Sequence, residues 1–265
     1  MNRMKLRTSV FFTAAAFAAL LVPVRLTAQE PGTKPETQAP AAMQAAPAPV
    51  LGPHMTREEQ IKYDWPWLGR FKEADLELGP PKPGEDRVVF MGDSITQGWH
   101  LDDSFPGKPY VNRGISGQTS PQMLLRFRQD VINLKPKVVI ILAGTNDVAE
   151  NTGPMTPEET EGNLMSMAEL ATANGIRVVL CSVLPSVDFP WHRGMEPAPK
   201  IVALNAWIKN YAAEEGYVYV DYYSAMKDAQ GGLPANLSHD GVHPLPAGYA
   251  IMAPLAEAGI EKALK

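Results

Sequence analysis

Four short polar clusters hold the residue types that acyl-transfer chemistry needs. The first is Gly92-Asp93-Ser94-Ile95-Thr96, directly after the apolar run Arg87–Met91. It places a serine where a strand turns into a helix, with its hydroxyl near the positive end of that helix. The Gly-x-Ser-x-Gly turn of other hydrolases is absent, since Thr96 stands where its second glycine would be. Taken alone, the five residues suit a helix cap as well as a nucleophile. The second cluster, Asn112–Thr119 (NRGISGQT), has glycines that permit backbone geometry closed to other residues and can leave an N–H open to an approaching oxygen. The third, Gly144–Asp147 (GTND), brings a carboxamide to the mouth of a strand, where it suits either a developing oxyanion or an Asx-turn. In the fourth, Ser238–Pro244 (SHDGVHP), Asp240 precedes His243 by three residues, close enough for the carboxylate to orient the imidazole. The other histidines are less well placed. His54 falls in a spacer, His100 after the serine, His192 in a long loop, and His239 beside Asp240.

In their order and placement the four blocks resemble those of the SGNH, or GDSL-like, hydrolase family, which includes lysophospholipase- and acetylhydrolase-like esterases. The matching blocks are GDSIT at 92–96, NRGISGQT at 112–119, GTND at 144–147 and DGVHP at 240–244. The likeness spans about residues 87–260 and departs at Ile95, where the name-giving motif has leucine. It implies a three-layer α/β/α, flavodoxin-like fold on a five-stranded parallel sheet, and ester hydrolysis through an acyl-enzyme. It also implies the roles: Ser94 as nucleophile, His243 as base, Asp240 as its orienter, and the Gly117 N–H and Asn146 amide as oxyanion donors beside the N–H of Ser94. Gly117 rather than Gly114 is chosen because the family places the donor at the last glycine of Asn-x-Gly-x-x-Gly. No metal or organic cofactor is implied.

The elements that must hold these clusters can be read from hydropathy. Arg87–Met91, Tyr110–Asn112, Lys137–Ala143, Arg177–Val183 and Tyr217–Val220 read as strands, and the third and fourth are nearly continuous aliphatic runs, as suits strands covered on both faces. Between them the period changes to 3.6: Leu124, Phe127, Val131 and Leu134 share a face, as do Leu164, Ala168 and Ala171, then Ile201, Leu204, Ile208 and Tyr211. Thr156-Pro157-Glu158-Glu159 is a helix start, Gly175 and Gly216 are stops, and a last helix is expected from about 247 to 263. Alternation of this kind makes a parallel sheet with helices on both faces and its active site at the carboxyl ends of the strands.

Outside that unit, residues 1–28 have the basic, apolar and small-residue order of a secretory signal peptide, with a core too short for a comfortable membrane span. Residues 29–62 read as a Pro/Ala-rich flexible segment and 63–265 as the hydrolase domain. The expected location is therefore secreted or periplasmic. Export removes Arg3, Lys5, Arg7 and Arg25, leaving about 20 basic against 29 acidic side chains and a net charge of about −9. Such a balance offers no electrostatic footprint for nucleic acid. The single cysteine, Cys181, sits in an apolar strand and reads as a small buried hydrophobe. No HExxH or CxxC motif and no histidine cluster suggests a metal site. The expected partner is a small-molecule or glycan ester.

Small or polar loops beside Ser94 favour a short acyl group, and the 184–200 connection, with Phe189, Trp191, His192 and Arg193, is placed to wall the site. A lysophospholipase- or arylesterase-like activity is the alternative within enzymes. A non-catalytic carbohydrate-binding or adhesion domain is the alternative outside them, against which the complete Ser, Gly, Asn, Asp and His set argues. Oligomeric state is not encoded in any of these features.

Overall fold

The computed structural model describes residues 54–265. The signal-peptide reading of 1–28 and residues 29–53 of the flexible segment lie outside the described residues. In chain order the elements are α1 (Arg57–Tyr63), α2 (Lys72–Leu78), β1 (Val88–Gly92), α3 (Ser94–Gln97), α4 (Leu101–Ser104), β2 (Tyr110–Gly114) and α5 (Ser120–Asp130). After them come β3 (Val138–Leu142), α6 (Thr145–Val148), α7 (Pro157–Ala173), β4 (Arg177–Cys181), α8 (Pro197–Glu214), β5 (Val218–Val220), α9 (Tyr222–Met226) and α10 (Pro246–Leu264).

The five strands form one parallel sheet in the order β2-β1-β3-β4-β5. Side chains alternate across it. Val89, Met91, Val139, Ile141, Val178 and Leu180 face a core completed by α5, α7 and α8 residues such as Phe127, Met167 and Ile208. Val88, Phe90, Val138, Ile140, Val179 and Cys181 face the other, completed by Ile95, Trp99, Tyr222, Met252 and Ile260. This is the expected three-layer α/β/α architecture, and two buried faces explain why the strand sequences are apolar at every position. Cys181 is buried and free, and burial pushes its thiol up to about 12.

The chain runs from β1 outward to β2 and then returns across β1 to β3, so the direction of winding reverses between β1 and β3. In an open α/β sheet the crevice at such a reversal, at the strands' carboxyl ends, is where ligands sit. The turns after β1, β2 and β3 carry the first three polar clusters.

Local chemistry sets the helix ends. Thr156 Oγ1 accepts from the Glu159 N–H at 3.2 Å while the Glu159 carboxylate accepts from the Thr156 N–H at 2.8 Å, a reciprocal cap on α7. Thr119 and Gln122 make the same motif on α5. That helix is shorter than its apolar period suggests. It stops at Asp130, Val131 leaves helical geometry, and Ile132–Leu134 form a 3-10 turn ahead of Pro136. The second strand reaches Gly114 rather than Asn112, because its last residues pair with Met91 and Gly92. At the other end of the unit, α1 occupies part of the stretch assigned by composition to the flexible segment. Thr56 and Glu59 cap it, and Gln60 is buried.

Candidate active site

Ser94 is the first residue of α3, held there by Asp93, whose carboxylate caps the helix by accepting from the Ile95 N–H at 2.9 Å. The turn lies tightly on the sheet. A side chain on Gly92 would overlap Thr96, and one on Gly114 would overlap the Gln97 backbone, so glycine at the ends of β1 and β2 lets α3 approach both strands.

From this turn the Ser94 hydroxyl meets His243 Nε2 at 2.9 Å, and His243 Nδ1 meets Asp240 Oδ2 at 2.6 Å. The second oxygen of Asp240 accepts the backbone N–H groups of Val242 and His243 and the Ser238 hydroxyl, at 2.8–3.0 Å. Partial burial opposes ionisation of Asp240, yet the His243 ring together with the two backbone donors holds its carboxyl well below the usual range. An ionised carboxylate only accepts. Nδ1 must then carry the hydrogen, which leaves Nε2 as an acceptor for the Ser94 proton. Three polar groups are thus aligned so that a proton can leave the serine oxygen.

Asn146 lies in the first turn of α6 and is buried. Its Nδ2 donates to the Gln118 carbonyl at 3.0 Å and makes a longer contact, 3.3 Å, with Asp93 Oδ2. It therefore joins the turns after β1, β2 and β3. Gly117, next to Gln118, has φ +75°, a conformation that glycine supplies without strain, and a side chain there would meet open space. The structure thus links Ser94, His243 and Asp240 directly, ties Asn146 to the serine turn through Asp93, and sets Gly117 beside a partner of Asn146.

Other residues stood out less in the sequence. Burial pushes the Asp93 carboxyl up to about 7, opposed by the Ile95 N–H and reinforced by the nearby Asp147 charge. Asp147 accepts from the Ser120 N–H at 3.0 Å and from the Ser120 hydroxyl, which fastens α6 to α5. Fully buried Arg126 donates to the Gly92 carbonyl at 3.0 Å, to Gln118 Oε1 at 2.5 Å and to Asp130 at 2.9 Å, propping both site turns from beneath. Arg126 lies on the apolar face of α5, where periodicity alone anticipates aliphatic residues. Gln97 accepts the Ser116 N–H at 2.6 Å.

The connection after β4 does wall the site. Phe189 is buried with Ala149 and Val242, and Trp191 stacks on it at 5.3 Å between centroids. Trp191 also lies 5.9 Å from the His243 ring and keeps 44% exposure. A cleft of about 520 Å³, lined by Trp99, His100, Asp103, Pro244, Leu245 and Tyr249, opens on the sequence neighbours of His243. Another of about 420 Å³ lies between α6, α7 and α8, lined by residues such as Val148, Met155 and Leu204. No group of acidic, histidine or cysteine side chains among the described residues could hold a metal ion, and no described helix is long and apolar enough to cross a membrane.

Residues 90–251 match the model of the GDSL-like Lipase/Acylhydrolase family. The chain belongs to that family. It is thereby a hydrolase of the GDSL/SGNH superfamily, and its sheet and layers are those of the superfamily. Among solved structures, a GDSL-like lipase from Bacteroides thetaiotaomicron VPI-5482 is 51% identical, with a TM-score of 0.70 over 73% of this chain and 96% of that one. An acetylxylan esterase from Geobacillus stearothermophilus is 32% identical over 165 residues, 57% of this chain and 72% of that protein. The Homo sapiens platelet-activating factor acetylhydrolase IB subunit alpha2 is 27% identical over 223 residues, 79% of this chain and 89% of that protein.

Proposed function

We propose that this GDSL-family member is an exported serine esterase that removes short, acetyl-like acyl groups, with carbohydrate esters as its substrates. The observation that carries the chemistry is the hydrogen-bonded line from Ser94 through His243 to Asp240. In this reading Ser94 Oγ attacks the ester carbonyl as its proton passes to His243 Nε2. The tetrahedral intermediate collapses, the C–O bond to the alcohol breaks, and the alcohol leaves with the proton from His243. A water then gives its proton to His243 and attacks the acyl-enzyme; the acid departs and the proton returns to Ser94. Asp240 stabilises the imidazolium at both stages. The N–H groups of Ser94 and Gly117 and the Asn146 amide serve the oxyanion, and the long Asn146–Asp93 contact is the one that a developing charge replaces.

Three features support a short acyl group on a bulky alcohol. The loops beside Ser94 offer Thr96, Gln97, Gly98 and residues 116–120, little apolar surface from which to gain the roughly 0.8 kcal/mol that each buried CH₂ of a long chain contributes. The His243 and Asp240 side chains are 40% and 38% exposed, which leaves the site open to a polymer rather than enclosed. Trp191, half-exposed beside His243, offers a face on which a sugar ring can stack. Two of the relatives bear acetyl-ester names, one a polysaccharide esterase and one an acetylhydrolase.

Comparison of kcat/KM across C2, C4, C8 and C12 p-nitrophenyl esters, with acetate release from acetylated xylan measured in parallel, tests the reading. A maximum at C2 with acetate released from the glycan is expected. A maximum at C8 or longer contradicts the short-acyl assignment and favours a lysophospholipase-like activity. C2 activity without glycan deacetylation removes the carbohydrate half.

A further inference from the structure

An asparagine can serve an oxyanion only with its NH₂, not its carbonyl, toward the reacting carbon. The two ends of a carboxamide have nearly the same shape, so hydrogen-bond partners decide which way it faces. Asn146 Oδ1 accepts from Asn151 Nδ2 at 2.7 Å. Asn151 is also a carboxamide and is able in principle to bond in either sense. Its sense is set by Trp191, whose indole N–H donates to Asn151 Oδ1 at 2.8 Å. An indole nitrogen donates and cannot accept. Trp191 thus fixes Asn151, and Asn151 together with the Gln118 carbonyl, itself able only to accept, leaves the Asn146 NH₂ directed at Gln118 and Asp93 on the Ser94 side.

Trp191 is itself well anchored. It stacks on buried Phe189, and its neighbour His192 bonds through Nδ1 to the Ala149 carbonyl at 2.7 Å. Arg193 pairs with Asp188 at 2.8 Å across the same turn. The Asn151 backbone N–H bonds the Asn146 carbonyl at 3.0 Å, which holds the two amides in register.

Resting on the reading of Asn146 as an oxyanion donor, we propose that Trp191 and Asn151 are positioning residues that lock the Asn146 amide in its productive sense. The connection after β4 thus acts on the chemical step as well as walling the site. Neither residue lies in any of the four polar clusters, and the two are 40 residues apart in sequence.

Single and double variants of the full chain test this with p-nitrophenyl acetate. Trp191→Phe keeps an aromatic ring against Phe189 and removes the N–H; kcat is expected to fall roughly 3- to 10-fold, the effect of one neutral hydrogen bond. Asn151→Asp keeps an acceptor for Trp191 but presents a carboxylate to Asn146 Oδ1. Its kcat should approach that of Asn146→Ala, a loss of about 10²-fold, with little change in KM. In the Asn146→Ala background both changes should have almost no further effect, because there is no amide left to orient. Equal losses in both backgrounds, or a raised KM with unchanged kcat, would overturn the relay. If Asn151→Asp does not fold, Trp191→Phe carries the same cycle. A fully active Asn146→Ala enzyme defeats the oxyanion reading itself, an outcome distinct from additivity of the relay variants.

Discussion

At the scale of single residues, the site depends on buried acids as much as on the serine. Asp93 is the clearest case, since it caps α3 at Ser94 and touches Asn146 while wholly buried. Its carboxyl sits near 7 in the fold, against about 3.9 in an unfolded chain. Between those values the folded protein keeps a proton that the unfolded chain has lost, so this group's contribution to stability falls as pH rises and levels off above about 7. Unfolding free energies of wild type and Asp93→Asn, measured from pH 4 to 8, should show it. The wild type should lose ground to the variant by on the order of a few kcal/mol, at about 1.4 kcal/mol per pKa unit, mostly below pH 7. A difference that stays level over this range would mean that Asp93 ionises normally. Asp240 behaves in the opposite way: its depressed carboxyl supports the fold above the ordinary carboxylate range and loses that support only in strong acid.

Among the elements, the turn from β1 into α3 is the one on which the proposed activity depends most. It is held from the sides by β2 and from below by Arg126 on the Gly92 carbonyl. Gly114→Ala would push a methyl into the Gln97 backbone, so α3 must shift. A stability loss of about 1–3 kcal/mol is expected, typical of overpacking, with a larger proportional loss of kcat because Ser94 moves relative to His243. Thermal denaturation and p-nitrophenyl acetate kinetics together check this; a variant with unchanged kcat would show that the turn tolerates displacement. The strands were readable in the sequence because both sheet faces are buried, which makes Val138–Leu142 and Arg177–Cys181 nearly unbroken apolar runs. The polar clusters were readable because their residue types are chemically restrictive. The Trp191–Asn151–Asn146 connection was not, since an isolated asparagine in a loop has no periodic or compositional signature. Arg126 escaped for the opposite reason: on a helix face that buries Met123 and Phe127, nothing local marks a position whose buried cation is satisfied by Gln118, Asp130 and a strand-end carbonyl.

For the molecule as a whole, the residues ahead of β1 do more than lead into the sheet. Gln118 and Gln122 donate to the carbonyls of Pro66 and Trp65 at 2.7 and 2.8 Å, and Gln129 donates to that of Leu68. Arg113 pairs with Asp75 at 2.5 Å and lies over the Phe71 ring. Glutamines of the 118–129 stretch thus tie this arm to the sheet unit by donating to its backbone oxygens. Because Gln118 also bonds Arg126 and, through its carbonyl, Asn146, loosening this arm should reach the site. Removing residues up to Gly79 should lower Tm by several degrees, each lost hydrogen bond contributing about 1 kcal/mol, and reduce kcat as well. Unchanged Tm and kcat in the shortened chain would show that the arm is peripheral to both.

The central claim is that Ser94 is the nucleophile, and covalent trapping tests it most directly. The protein is treated with a fluorophosphonate, weighed intact, and mapped by peptide mass spectrometry, with Ser94→Ala alongside. One adduct per chain at Ser94 is predicted, together with a Ser94→Ala variant that keeps its Tm, takes no label and has lost nearly all ester turnover, because the hydroxyl contributes little to core packing. Labelling at another serine, or wild-type turnover by Ser94→Ala, would contradict the account.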